Sequence, residues 1–146
     1  MSRDVISETD PHAIWQLMVG MVWETRGEWR RKVCEATGLP FSRARILWRL
    51  VDAPLTLKQI ADDTNSDAPA TTVAVNKLEA LGLVERRPHP DNRRAKLVSL
   101  TRKGRAMIER VHRTVRDDAP PAFEQLSKTD LAHLHRILER VANKGR

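Results

Sequence analysis

Tyrosine is absent from this sequence, cysteine occurs once, and phenylalanine only twice. The lone Cys34 excludes an internal disulfide, so the fold must rest on a packed core. No apolar run comes near the roughly 18 residues of a membrane-spanning helix. The first ten residues are polar and partly acidic, without the apolar stretch of a secretory leader. A cytoplasmic, nucleoid-associated protein with no membrane partner is expected. The six glycines form no phosphate-cradling loop. His133 and His135 are two apart on a helical segment and diverge, so they cannot share a metal. No local nucleophile, base and acid signature is present. Together these absences leave no enzymatic reading, and neither metal, cofactor nor catalytic residue is expected.

Acidic residues are also in deficit. Lysine and arginine total 26 against 19 Asp and Glu, a net charge of +7. A basic balance of this size favours a polyanion as partner, nucleic acid first and anionic membrane second. The 146 residues have the length of one domain, and 40% hydrophobic content suffices for a core.

Residues 11–37 carry apolar side chains at helical spacing, with Ile14, Met18, Met21 and Val22 on one stripe and Trp15, Trp29 and Val33 on another. Asp10 and Pro11 are suited to start this helix; Gly38 and Pro40 stop it. Ser42 is expected to cap a short helix with Ile46, Leu47 and Leu50 inward. A second follows Thr56, and a third begins at Asp67 or Ala68, with Val75, Leu78 and Leu81 inward and Val73 at the flank. This succession suggests helix-turn-helix. After Gly82 the period changes. "LVERRP" and "RAKLVSL" read as strands around a Pro-Asp-Asn turn, a β-hairpin. Thr101 caps a helix reaching about Asp118, and Ser127 begins a last one bearing Leu131, Leu134, Leu138 and Val141. The fold class is mainly α (α+β): residues 1–146 form a single domain, with a winged helix-turn-helix at 42–100 and long helices at 11–37 and 101–143. Those helices carry more apolar surface than the central module can cover, so a second copy is expected to bury it.

A hairpin directly after a helix-turn-helix is a wing, whose tip lies against the DNA backbone. Arg93 and Arg94 sit at that tip, where a weakly hydrated guanidinium suits the negative potential of a narrow minor groove. Asp91 is placed to tether one of them by a charge-assisted bond.

"LTLKQIADDT", "VNKLEALGLVERRPHPDNRRAKLVSLTRKG" and the flanking helices resemble the MarR (multiple antibiotic resistance regulator) family of bacterial transcription factors, from about Ala13 to Val141. The resemblance implies a homodimer that binds a pseudo-palindromic operator in double-stranded DNA, as a repressor relieved by a small ligand. Residues 67–77 then form the recognition helix. Thr71 and Thr72 offer hydroxyls and methyls, Pro69 and Ala70 allow close approach, Asn76 is placed for adenine or backbone, and Lys77 for phosphate. Ser42, Arg43, Thr56, Lys58, Arg86 and Arg87 are further backbone-contact candidates. Ala68 and Val73 stand where many relatives carry arginine, which implies an A/T-leaning or shape-driven preference instead of arginine readout of guanine.

The four tryptophans bear on the ligand. The family's cleft between dimerisation helices and winged module takes planar, often aromatic and anionic molecules. Trp15, Met18, Trp48, Met107 and Val111 are candidates to line it, with His12 or Arg45 as cation. Two alternatives stand beside this reading. Cys34 offers a thiol-based oxidant switch, although it lies at the end of the first helix and has no tyrosine to assist it. A winged helix can also serve protein interaction, which the scarcity of base-reading residues in 67–77 favours and the paired wing arginines oppose.

Overall fold

The computed structural model describes residues 9–116 and 119–143. Asp118, the expected end of the helix after the hairpin, lies outside them. The chain divides into two compact units, one through Val115 and one from Arg116.

The first unit opens with α1 (Pro11–Thr37). The Asp10 carboxylate accepts from the His12 N–H at 3.0 Å, and Pro11 fills the first turn, where its missing N–H has no consequence. Gly38, at φ 67°, closes the helix in the left-handed region. Only its C-terminal end is buried, at Val33 and Thr37. Next comes α2 (Phe41–Arg49), which starts one residue before the expected Ser42 cap. Pro40, at φ −56° and ψ 143°, precedes the helix and its carbonyl accepts from Arg43 and Ala44, so Ser42 lies exposed inside the first turn.

Strand β1 (Leu55–Thr56) leads into α3 (Leu57–Thr64) through a full capping box: the Thr56 hydroxyl accepts from Gln59 N–H at 3.2 Å, and the Gln59 side chain accepts from Thr56 N–H at 2.9 Å. Asn65, at φ 51°, ends α3 and turns the chain toward α4 (Ala68–Ala80). There the Asp67 carboxylate caps, accepting from Ala70 N–H at 2.7 Å. Strands β2 (Val84–Pro88) and β3 (Lys96–Leu100) form the expected hairpin, from Val84 opposite Leu100 to Pro88 opposite Lys96. β1 pairs antiparallel on the other edge of β3, giving the order β1-β3-β2. Thr101 then caps α5 (Arg102–Val115), accepting from Gly104 N–H at 3.1 Å.

Leu47, Leu50, Ile60, Val75, Leu78, Leu83, Val84 and Val98, all nearly inaccessible, build the main core, so both helices of the motif and the hairpin share one apolar centre. A smaller cluster of Val33, Ala44 and Val111 joins α1, α2 and α5. In the second unit, a 3-10 turn (Pro121–Gln125) precedes α6 (Lys128–Asn143). Ser127 begins α6 as expected: its Oγ accepts from Asp130 N–H at 3.1 Å and donates to the Asp130 carboxylate at 2.6 Å. The fold is mainly α with a small sheet, a winged helix. Among the described residues no helix is long and apolar enough to cross a membrane.

Candidate functional site

Helical geometry decides which side of α4 is available. Thr71, Val75 and Leu78 fall at i, i+4 and i+7 and are all buried. Thr71, expected to reach DNA, is 2% exposed and its hydroxyl donates to the Asp67 carbonyl at 2.8 Å. A polar residue can occupy this core stripe because its own helix satisfies the hydroxyl. Leu81, expected inward, is the exposed C-terminal cap instead. The outward side presents Pro69, Ala70, Val73, Asn76 and Lys77, with Thr72 half-exposed and its hydroxyl donating to the Ala68 carbonyl at 2.9 Å.

Arg86 proves to be a strut. Its Nη2 donates to Asn76 Oδ1 and its Nε lies 3.7 Å from a Glu79 carboxylate oxygen. That spacing suits an ion pair and is too long for a hydrogen bond, so the buried Nε has no hydrogen-bond partner. The guanidinium ties β2 to α4 and occupies the Asn76 amide oxygen, so Arg86 is not the backbone contact expected of it and Asn76 keeps only its amide N–H groups for DNA. Arg87, on the opposite face of the strand, is exposed and pairs with Glu85 at 2.7 Å. Thr56 is engaged by its capping box and strand pairing. Lys58 is exposed in the first turn of α3. Between α2 and α4 lies an open cleft of about 500 Å³, lined by Ser42, Arg43, Asp67, Pro69, Ala70, Val73 and Ala74.

At the hairpin tip the backbone is well defined. Ala95 N–H donates to the Asn92 carbonyl at 3.0 Å, Arg94 N–H to Asn92 Oδ1 at 3.1 Å, and Asp91 N–H to His89 Nδ1 at 3.1 Å. Arg93 and Arg94 are the two central residues of this Asx-stabilised turn and both are exposed. The expected Asp91 tether is corrected: among the described residues no ion pair joins Asp91 to either arginine. A fully solvated carboxylate gains little from such a pair, and Asn92 and His89 order the tip instead.

A second cavity, of about 320 Å³, opens between α1 and α2, lined by Trp29, Val33, Phe41, Ala44, Arg45, Trp48 and Arg49. The Trp29 ring stands edge-on to Phe41 at 5.4 Å and lies 5.9 Å from Trp48, which in turn lies 4.7 Å from His112. The Arg30 guanidinium sits 4.6 Å from the Phe41 ring centre. Of the residues expected here, Arg45 and Trp48 line the cavity. Val111 is buried in the cluster beneath it, and Met107 packs on the main core. His12, Trp15 and Met18 do not line it: they sit on the N-terminal part of α1, where Trp15 is 60% exposed. Trp29, Val33, Phe41, Ala44 and Arg49 were the missed lining residues; the i, i+4 spacing of Trp29 and Val33 was the signal for the α1 pair. Cys34 is half-buried on α1. Among the described residues no group of three His, Cys, Asp or Glu side chains could hold a metal.

A family model described as MarR family matches residues 37–95, from the end of α1 to the far side of the wing tip. The multiple antibiotic resistance protein MarR of Escherichia coli K12 is 33% identical over 89 residues, 60% of this chain and 60% of that one. Its apo crystal structure superposes with a TM-score of 0.64 at 25% identity, covering 83% of this chain and 93% of that one. Over residues 37–95 the chain is similar to the MarR family. Another similar protein is the HTH-type transcriptional repressor IacR of Pseudomonas putida, 28% identical over 104 residues, 70% of this chain and 62% of that one. A MarR family transcriptional regulator of Streptomyces coelicolor, Sco3205, crystallised in complex with DNA, has the same fold with a TM-score of 0.66 at 20% identity, covering 96% and 94% of the two chains. The chain spans less than two thirds of the length of the curated relatives it matches. The segment matched to the MarR family model includes α2 to β2 and the wing tip, while most of α1 and all of α5 and α6 lie outside it.

Proposed function

We propose that this chain is a DNA-binding transcriptional regulator of the MarR family, a homodimer that represses from a pseudo-palindromic operator until a small planar aromatic anion releases it. The observation that carries the reading is the pairing of an outward-facing α4 with a wing tip whose two central residues are solvent-facing arginines. With a net charge of +7, these surfaces suit a groove and its flanking phosphates. IacR's description as a repressor and the DNA-bound form of Sco3205 support the same reading. Lys58, Lys77, Ser42 and Arg43 are assigned to the DNA backbone, and the working compartment is the cytoplasm, at the nucleoid.

The dimer reading rests on apolar surface. Ile14, Leu17, Met21 and Trp23 on α1, and Leu131, Ile137, Leu138 and Val141 on α6, are exposed. A second copy that covers them sets the separation of two recognition helices at about 34 Å, one turn of DNA. Selection from genomic fragments with the purified chain is expected to recover a short inverted repeat. Affinity should fall with salt at roughly −0.9 log units per log unit for each phosphate neutralised. Salt-sensitive binding with no enriched sequence would replace the operator reading with an architectural one, and a folded chain that binds no DNA would remove both.

For the effector, the cavity between α1 and α2 combines aromatic walls with the Arg45 and Arg49 cations. It touches α2, part of the winged module, and α1, which carries the exposed apolar surface. A ligand seated there biases the angle between modules, which must match the groove spacing. An aromatic carboxylate such as 2-naphthoate is expected to quench tryptophan fluorescence. Arg45→Ala should weaken that binding by roughly tenfold, the worth of a charge-assisted bond, while leaving thermal unfolding unchanged. Equal binding by both forms would remove Arg45 from the site.

A further inference from the structure

We propose that Val73 is a specificity-determining residue that reads the C5-methyl group of thymine in each operator half-site. The inference rests on the DNA-binding reading above and deepens it by naming the chemistry that α4 recognises.

Polar readout from the first turns of this helix is reduced by contacts within the molecule. Thr71 is buried, the Thr72 hydroxyl is engaged by the Ala68 carbonyl, and Asn76 is held by Arg86. What the first turns of α4 offer to solvent is apolar. Val73 is 53% exposed although it is β-branched and lies mid-helix, where neither helix propensity nor the core calls for valine. Pro69 and Ala70 lie four and three residues before it, on the same side of the helix, and all three line the open cleft beside Arg43. Lys77 continues this ridge one turn later with a cation placed for phosphate.

Of the four bases only thymine carries a methyl on its major-groove edge, where cytosine has the smaller C5–H. An apolar ridge therefore gains most contact area from thymine, and desolvates unpaired polar atoms at the other bases. Ala70 and Val73 are about 4.5 Å apart along the helix axis, close to the roughly 3.4 Å between successive bases of one strand. The ridge can thus address two adjacent pairs, with valine reaching further than alanine.

The test uses the full chain and the inverted repeat recovered by selection, with thymines replaced one position at a time by deoxyuridine. This change removes the methyl and leaves base pairing intact. At one position in each half-site the replacement is expected to weaken binding about fourfold, and about fifteenfold when both half-sites are changed. Val73→Ala, at an exposed site, should keep the unfolding midpoint and bind the thymine and deoxyuridine duplexes equally. Val73→Arg should shift the selected base toward guanine. Equal binding of every deoxyuridine duplex by the unaltered chain would sink methyl readout while leaving operator recognition standing. An unchanged penalty in Val73→Ala would remove Val73 from it. A chain that selects no DNA sequence removes the inference together with the reading beneath it.

Discussion

Replacement of Gly104 by alanine is expected to destabilise the chain by about 3 kcal/mol, at the upper end of overpacking costs, and to lower the melting temperature by about 10 °C. The direction is opposite to the usual one. In a helix interior, alanine is favoured over glycine by about 1 kcal/mol, and Gly104 lies in the first turn of α5. Yet a Cβ on Gly104 would stand 2.1 Å from the Leu83 carbonyl oxygen, 3.1 Å from its carbonyl carbon and 3.2 Å from Leu100 Cδ2. Backbone cannot swing aside as a flexible side-chain end can. The Leu83 oxygen also accepts from Thr101 N–H at 3.1 Å, the Thr101 hydroxyl donates to the Gly82 carbonyl at 2.6 Å, and Lys103 Nζ donates to the Leu81 carbonyl at 2.9 Å. The end of α4, the base of the hairpin and the start of α5 are fastened at one point. Relief of the clash therefore moves the wing relative to α4, and operator affinity should fall with stability. Urea or thermal unfolding of Gly104→Ala decides the matter: a neutral or stabilising effect would mean that the close approach does not limit this position.

The closeness at Gly104 shows what the sequence could and could not tell. Helix boundaries were legible where a side chain satisfies end groups locally. Asp67, Thr101 and Ser127 cap where the sequence placed them, and a helix follows Thr56 as expected, because those bonds span three residues. The hairpin was legible from its turn and its alternating strands. By contrast, β1 has two residues, too few for any period, and exists because Leu55 and Thr56 meet Val98 and Leu97 across the fold. The facing of α4 was misread at both ends for one reason. Polarity put Thr71 outside and Leu81 inside, whereas the threonine hydroxyl is satisfied within its own helix and the leucine falls past the last turn. Arg86 and Asn76 are ten residues apart, so their pairing follows only once β2 is laid against α4. The aromatic cavity was half legible. Trp48 and Arg45 were named from composition and family resemblance, but the cavity beside them is lined by the C-terminal part of α1, not by the N-terminal part that was expected.

The double substitution Arg93→Ala with Arg94→Ala is expected to weaken operator binding by roughly 10- to 150-fold, the loss of one charge-assisted contact worth about 1.5–3 kcal/mol. It should leave folding intact. Backbone groups, Asn92 Oδ1 and His89 Nδ1 hold the tip, and neither arginine side chain contributes to that frame. The absence of an Asp91 tether has a consequence for magnitude. Each free guanidinium keeps its rotamer freedom until it binds, and ordering a long side chain costs up to about 2 kcal/mol, so the net gain per arginine is smaller than for a preorganised group. Lysine substitutions separate two modes of contact. A phosphate contact is mainly Coulombic, and lysine at both positions should restore most of the affinity. An arginine inserted in a narrow minor groove relies on its weakly hydrated planar group, so lysine should restore little, and the defect should be largest on operators with A/T-rich flanks. The salt dependence gives an independent check, since each lost phosphate contact lowers the slope by roughly 0.9. Unchanged affinity in the alanine pair, on an operator that the unaltered chain selects, would take the wing out of recognition and leave α4 to carry it alone.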